Sequence, residues 1–200
     1  MHTDSTNVNR KAAQSQATRS RLVDAARELF AAHGYAAVGT EQIVRAAGVT
    51  RGALYHQFAD KRDLFRAVFE QVEAELVQAI AQRALSQPDP LAVLRAGVVA
   101  WLDACAQPDM QRIVLLDAPG VLGFEEWRAA SERNAMGLIV AALEGAMDAG
   151  AIERQPVAAL AHVVAGALDE AALYVARAVD KPLARAEMET VLARIVETMK

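Results

Sequence analysis

Apolar residues repeat at helical spacing over most of the chain. In residues 18–33 they recur every third or fourth position and form one stripe, which consists of Leu22, Ala25, Ala26, Leu29 and Phe30. Residues 61–84 carry a longer stripe of the same kind, and the alternating runs that are typical of strands are few. The pattern therefore predicts an all-α protein, and the abundance of Ala and Leu agrees with this prediction.

Glycine and proline residues divide the helical pattern into about nine helices. Gly34 and Gly48 are predicted to end the first two, and a cluster of breakers at residues 86–90 ends the fourth. Pro90 is predicted to open the fifth helix behind a cap at Asp89, because the first helical turn tolerates proline. The remaining helices are predicted at residues 108–116, 124–149, 156–179 and about 183–199, with a break at residues 117–120.

Residues 40–58 are predicted to form two short helices joined by a tight turn at Gly48. Thr40 and Thr50 are the predicted N-caps, since a threonine hydroxyl accepts a hydrogen bond from an N–H group of the first turn. The second helix would bury its apolar side and turn five residues outward: Arg51, Gly52, Ala53, Tyr55 and His56. In a helix–turn–helix motif, the second helix enters the major groove of DNA.

Two stretches of this N-terminal part resemble the TetR/AcrR family of bacterial transcriptional regulators. They are GVTRGALYHQFADKRDLF at residues 48–65 and RLVDAARELFAAHGYAAVGTEQI at residues 21–43. A glycine between two short helices occurs in many helical proteins, so the long combined motif carries the resemblance. The resemblance implies an N-terminal DNA-binding domain and a helical body that forms dimers and holds a small inducer.

Eight residues are the predicted DNA contacts: Thr40, Thr50, Arg51, Gly52, Ala53, Tyr55, His56 and Lys61. Arg51 is the first choice because a guanidinium can pair with O6 and N7 of guanine; its alternative role is a phosphate contact. Gly52 and Ala53 are small and allow close approach to the groove, whereas the two threonines are expected near phosphates. The resemblance implies phosphate or base contacts for Tyr55 and His56 and a phosphate contact for Lys61.

The charge distribution also separates the two parts of the chain. Residues 1–66 carry ten Lys and Arg against six Asp and Glu, whereas residues 67–200 carry eleven against nineteen. A basic N-terminal part fits a domain that meets phosphates, and an acidic remainder disfavours wrapping of DNA around it. We therefore assign residues 1–17 to a disordered basic and polar arm, residues 18–66 to a DNA-binding domain and residues 67–200 to an effector-binding and dimerisation domain.

The last two predicted helices are candidates for a dimer interface. The eighth is rich in small residues, which let helices approach closely, and the ninth carries apolar residues at bundle spacing. Two such helices from each of two chains could form a four-helix interface, as the resemblance implies. The alternative is that both helices cover the core of a monomer. The predicted interface residues are Ala161, Ala165, Ala172, Val191, Leu192 and Ile195.

Aromatic and polar residues on the predicted body helices are candidates for a ligand cavity. They are Trp101, Cys105, Leu115, Phe124, Trp127, Asn134, His162, Asp169 and Tyr174. The alternative for each apolar residue is ordinary core, and for each polar residue a satisfied buried group. The composition of the set favours a small, mainly apolar effector.

The predicted function is a ligand-responsive transcriptional regulator without enzymatic activity. By default it is a repressor that binds a palindromic DNA operator as a homodimer and is released by the effector. A transcriptional activator of the same family is the alternative, and an architectural DNA-binding protein or a helical enzyme are further alternatives. The four histidines are scattered, and the sequence contains neither a glycine-rich phosphate loop nor a cysteine and histidine metal pattern, so we expect no cofactor and no metal.

The sequence also predicts a cytoplasmic protein without a membrane partner. The N-terminus is polar and lacks the apolar segment of a secretory signal. The most apolar stretch, residues 157–168, is too short to cross a bilayer. Cys105 is the single cysteine, which excludes an intrachain disulfide and agrees with a reducing compartment.

Overall fold

The computed structural model describes residues 4–199, without the side chains of residues 4–9, Leu85 and Ser131. This part of the chain is helical and contains no strand, which confirms the predicted all-α class. The helices are α1 Asp4–His33, α2 Thr40–Ala46, α3 Arg51–Gln57, α4 Lys61–Leu85, α5 Pro90–Cys105, a π-helical segment Met110–Asp117, α6 Ala118–Val121, α7 Phe124–Asp148, α8 Val157–Arg177 and α9 Lys181–Glu197.

The head of the molecule consists of α1, α2 and α3, which pack around fully buried side chains, among them Leu22, Phe30, Ile43, Leu54 and Phe58. Gly48 has a φ of 63°, so the turn between α2 and α3 uses the left-handed region that favours glycine. The Thr50 hydroxyl accepts a hydrogen bond from the Ala53 N–H at 3.2 Å, which confirms Thr50 as the N-cap of α3. The turn between the two short helices thus uses the residues that the sequence predicted for it, Gly48 and Thr50.

The predicted N-cap of α2 was wrong by one residue. Gly39 takes the cap position in extended backbone, and Thr40 already lies in the first helical turn. The side chain of Gln42, at the third helical position, accepts a hydrogen bond from the Gly39 N–H at 2.8 Å. Gln42 therefore closes this end of the helix, and the Thr40 hydroxyl is not needed there.

The first helix is longer than predicted, because α1 begins at Asp4. The prediction of a disordered arm was therefore wrong for residues 4–17, which are helical. Residues 1–3 of the predicted arm lie outside the described part of the chain. Residues 10–17 are rich in Arg, Lys, Ala and Gln, which favour helix, and no breaker separates them from the buried stripe. The helix that the stripe stabilises can therefore extend toward the N-terminus.

Helix α4 belongs to both the head and the body. Its first turns bury Phe65, whose ring lies 5.4 Å from that of Phe30 and 5.1 Å from that of Tyr35. Its later turns bury Leu76 and Ile80 against the body. The helix packs against α1 on one side and against α5 and α7 on the other. A single rigid element thus connects the two parts.

The predicted break at residues 117–120 is absent. The π-helical segment passes directly into α6, and Pro119 stands in the first turn of that helix, where a missing N–H costs little. The chain turns instead at Gly123, whose φ is 89°. The segment also contacts the head, because Asp117 Oδ2 accepts a hydrogen bond from the Tyr35 N–H at 2.7 Å.

The body is completed by α5, α7, α8 and α9, whose observed ends differ from the predicted ones by a few residues. Asp89 caps α5 as predicted, since its carboxylate accepts a hydrogen bond from the Ala92 N–H at 2.8 Å. Among the described residues, α8 is the one helix that is long and apolar enough to cross a membrane, and only 17% of its apolar window is buried within the chain. Most of the remaining residues of α8 are half-buried, and its large exposed apolar side chains are Val163 and Tyr174.

Candidate nucleic-acid interface and internal cavity

The exposed side of α3 presents Arg51 and Tyr55, the first an exposed cation and the second an aromatic ring with 45% of its surface exposed. The Arg51 guanidinium lies 5.6 Å from the centre of the Tyr55 ring. Its nearest carboxylate, on Glu41, is 4.0 Å away and is itself exposed, which leaves only a weak, solvent-screened ion pair. Arg51 is therefore free to reorient toward a ligand.

The other predicted contact residues lie on or beside the same surface. Gly52 and His56 are exposed on α3, and Ala53 is half-buried. Thr40 is half-buried at the start of α2. The structure thus brings the predicted residues of α3 together at one surface of the head, and DNA contact by them stays a prediction.

Lys61 is held by the head itself. Its Nζ donates hydrogen bonds to the backbone carbonyls of Tyr35 at 2.9 Å and Val38 at 3.0 Å, and it lies 3.9 Å from the centre of the Tyr35 ring. Burial lowers the pKa of this ammonium group. Two of its three donors are used in joining α4 to the loop before α2, which leaves one for a phosphate.

Arg19 lies on α1 and contacts the end of α3. Its guanidinium lies 4.4 Å from the centre of the Phe58 ring and donates to the Gln57 carbonyl at 3.3 Å. The Gln57 side chain in turn donates to the Ser15 hydroxyl at 2.7 Å. These contacts hold the end of α3 on α1, so Arg19 positions the exposed face of α3.

A cavity of about 530 Å³ lies in the body, with walls from α4, α5, α7, α8 and α9. Most of its lining is aliphatic. Its polar side chains include Glu73, Arg128, Glu132, Asn134 and Asp169. A cavity of this size and composition is typical of a site for a small organic ligand.

The polar groups of the cavity form two sets of contacts. Glu73 is 4% exposed, and the Asn134 side-chain amide donates to its carboxylate at 2.8 Å. Arg128 lies 3.2 Å from a carboxylate oxygen of Asp169 and 3.2 Å from one of Glu132. Burial raises the pKa of Asp169 to about 6, although the positive charge of Arg128 opposes this shift.

Three of the nine residues predicted for the ligand site line this cavity. They are Trp101, Asn134 and Asp169, and the Trp101 indole is oriented by a 2.9 Å hydrogen bond to the Leu168 carbonyl. Three others are buried elsewhere in the core: Cys105, Leu115 and Trp127. The last three are exposed: Phe124, His162 and Tyr174.

Sequence reasoning missed Glu73, Arg128 and Glu132. A signal for Glu73 was present, because it stands four residues after Phe69 and three before Leu76, on the buried stripe of α4. A carboxylate at such a position either has a partner in the core or faces a cavity. The two residues of α7 carried no comparable signal.

Asp169→Asn is expected to change the pH dependence of stability. The raised pKa means that the folded protein binds this proton more tightly than the unfolded chain, so stability falls as pH rises from about 4 to about 6. The asparagine variant lacks this loss. The free energy of unfolding of the variant minus that of the parent should therefore be about 2 kcal/mol larger at about pH 7 than at about pH 4. Urea unfolding at several pH values measures this, and a constant difference would contradict the assignment.

The predicted dimer residues divide between the interior and the surface. Ala161, Ala172 and Leu192 are buried within the chain and Ala165 is half-buried. Val191 and Ile195 are exposed on α9, at 50% and 42%. Other large apolar side chains exposed on or beside α8 and α9 are Val163, Tyr174, Val179 and Leu183. Both helices thus carry large apolar side chains that are exposed within a single chain.

A basic three-helix head with an exposed third helix, carried on a helical body with an internal cavity, defines the class of helix–turn–helix transcriptional regulators. No group of histidine, cysteine and carboxylate side chains among the described residues has the arrangement of a metal site. A family model described as bacterial regulatory proteins of the tetR family matches residues 22–68. A second, described as tetracyclin repressor-like C-terminal domain, matches residues 91–199. The chain belongs to the TetR family, as the sequence predicted.

Similar regulators include repressors and an activator. The chain is 35% identical over 103 residues to the transcriptional regulator AcrR of Shigella flexneri, a match that covers 51% of this chain and 48% of AcrR. It is 32% identical over 108 residues to the repressor BepR of Brucella suis, a match that covers 54% of this chain and 52% of BepR. It is 36% identical over 85 residues to the activator FasR of Mycolicibacterium smegmatis, a match that covers 42% of this chain and 39% of FasR. The chain thus matches about half or less of the length of these relatives.

Nearly the whole chain can be superposed on a solved structure. A TetR-family transcriptional regulator from Pectobacterium atrosepticum is 31% identical and superposes with a TM-score of 0.85. The match covers 94% of this chain and 96% of that one. The arrangement of head and body is therefore shared between the two proteins.

Proposed function

We propose that the protein is a ligand-responsive repressor, which binds a palindromic operator as a homodimer and is released by a small, mainly apolar effector. The observation that carries the proposal is that α4 contributes to both sites. Near its start, Phe65 is part of the aromatic cluster of the head, and further along, Glu73 and Leu76 line the cavity. A ligand in the cavity therefore touches the helix on which the head is mounted.

Ion pairs support a mechanical connection between α4 and the body. Glu126, in the first turns of α7, contacts Arg62 at 2.8 Å and Arg66 at 2.5 Å. Arg62 also donates to the backbone carbonyls of Val121 and Leu122, at 3.0 and 2.8 Å. The first two turns of α4 are thus fastened to the junction of α6 and α7. A displacement of α7 by a ligand would be transmitted to the base of the head.

The exposed apolar surface of α8 and α9 supports the homodimer. A single chain would leave Val163 and Val191 in water at 68% and 50% exposure, and a second copy would cover such side chains. Regulators of this family usually act as dimers. Two heads related by a twofold axis match two half-sites roughly 34–36 Å apart on one face of DNA.

Release follows from linkage between the two sites. An effector that binds more tightly to the body conformation in which the heads are misaligned lowers the affinity for the operator. The factor is set by the ratio of the effector's affinities for the two conformations. The operator lowers effector affinity by the same factor. Repression needs only occlusion of a promoter by the bound dimer, and activation, as in FasR, is the second candidate function. The predicted cytoplasmic location is part of the same proposal.

The test is binding of the purified protein to the DNA upstream of its own gene, at fixed salt and with excess random competitor DNA. We expect a protected, nearly palindromic site that holds two copies of the chain. If random DNA at the same concentration as the upstream DNA abolished the protection, the proposal would be contradicted. A regulator remains bound to its specific site in the presence of competitor DNA. Sedimentation of the protein alone checks the dimer, and a monomer at micromolar concentration would contradict that part.

A further inference from the structure

Both ends of the π-helical segment Met110–Asp117 are fastened to the head. At the first end, the Arg27 guanidinium of α1 donates to the carboxylate of Asp109, the N-cap of the segment, at 2.5 and 3.0 Å. At the other end, Asp117 Oδ2 accepts the 2.7 Å hydrogen bond from the Tyr35 N–H, just after α1. Because the two attachments lie about two helical turns apart, they restrain the rotation of the head as well as its position.

The carboxylate of Asp117 is the centre of the second attachment. Only 16% of this side chain is exposed, and Oδ2 also lies 3.4 Å from Nε of Arg112. The Arg112 guanidinium packs against Gly34, in the space that a side chain there would occupy. The Tyr35 carbonyl is in turn bound by Lys61 at the start of α4. Loss of the carboxylate would therefore leave the Tyr35 N–H without its charged acceptor and would loosen the loop before α2.

The same segment contacts the two helices that are proposed to form the dimer interface. The buried Gln111 side chain accepts a 2.6 Å hydrogen bond from Lys181 Nζ at the start of α9, and the segment also packs against α8. The described lining of the cavity contains no residue of the segment. The segment therefore connects the head to α8 and α9 by a route that is separate from the contacts of α4 with the cavity.

We infer that Asp117 is a positioning residue for operator recognition, which sets the half-site spacing that the homodimer accepts. This inference rests on the proposed function, in which α8 and α9 of two chains hold two heads on one operator. A base pair inserted between the half-sites separates them by about 3.4 Å and turns one relative to the other by about 35°. A head that is fastened at both ends of the segment cannot follow this change, whereas a head released at Asp117 follows part of it.

The test uses the purified full chain, its operator and the same operator with one base pair inserted at the centre. Both affinities are measured by fluorescence anisotropy at fixed salt. For the parent we expect the insertion to lower the affinity at least about tenfold. In Asp117→Ala, which removes the acceptor of the Tyr35 N–H, the insertion should lower the affinity less than about threefold. The affinity of this variant for the unaltered operator should also fall, because a loosened head must be ordered on binding.

Asp117→Asn and Asp148→Ala are the matched controls. The asparagine oxygen can keep the hydrogen bond from the Tyr35 N–H, so this variant should discriminate between the two operators as the parent does. Asp148→Ala removes the same charge from an exposed position at the end of α7, where the carboxylate pairs with Arg154, and should also match the parent. Each variant is judged by the ratio of two affinities on one preparation, so an inactive fraction of the protein does not affect the comparison.

Equal ratios in Asp117→Ala and the parent would overturn the inference. A parent that accepts both spacings equally would also overturn it, and so would an Asp117→Asn variant that is as tolerant as Asp117→Ala. In each of these cases the parent still holds a specific operator, so the proposed function stands. If the parent shows no specific DNA binding, the proposed function and this inference fail together.

Discussion

Phe65→Ala is expected to lower the free energy of unfolding by about 3–5 kcal/mol. The ring is fully buried and makes edge contacts with the rings of Phe30 and Tyr35 at the point where α4 meets the head. Its removal leaves a cavity among side chains that cannot close it, and deletes the aromatic contacts as well. Urea unfolding followed by loss of helical circular dichroism measures the effect.

Phe124→Ala is the matched control for this prediction. It removes the same side chain from a position that is 60% exposed at the start of α7. The expected cost is below about 1 kcal/mol, because little apolar surface returns to water. Similar losses for the two variants would contradict the packing of α4 against the head.

Arg51→Ala is expected to lower operator affinity by about tenfold to a hundredfold, because each good base or phosphate contact contributes roughly 1–3 kcal/mol. The side chain is exposed and held only by its contact with the Tyr55 ring and a long ion pair with Glu41, so folding should be unaffected. Fluorescence anisotropy with labelled operator and with random DNA measures both affinities. A loss confined to the operator indicates a base contact, and an equal loss on both indicates a phosphate contact.

Arg133→Ala provides the control, since it removes an exposed arginine from α7 in the body. It changes the net charge by the same amount but lies outside the head. Unchanged operator affinity in Arg51→Ala, or an equal loss in Arg133→Ala, would contradict the assignment of the α3 surface to DNA.

The head could be predicted closely because its structure is decided by neighbours in sequence. The position of Gly48 and the hydroxyl of Thr50 set the turn between α2 and α3, and both are visible as residue types. The errors arose where two local interactions compete. Gln42 caps α2 in place of Thr40, and helix-favouring residues extend α1 through a segment that polarity alone assigned to disorder.

The cavity could be predicted only in part, because it depends on packing between helices that are distant in sequence. Helical spacing shows which side chains point inward, but not whether they meet a neighbour or an open space. Trp101 and Trp127 illustrate this, since both are inward aromatic residues and only Trp101 lines the cavity. The pairing of Glu73 with Asn134 joins α4 to α7 across the fold, and no local pattern specifies it.

The most direct test of the central claim is selection of bound fragments from the genomic DNA of the source organism by the purified full chain. The account predicts enrichment of one nearly palindromic sequence, bound by two copies, with half-sites centred roughly one helical turn of DNA apart. Enrichment should disappear for Arg51→Ala if that side chain reads a base. Recovery of fragments without any shared sequence would contradict the account, because it would show that the basic head binds phosphates alone.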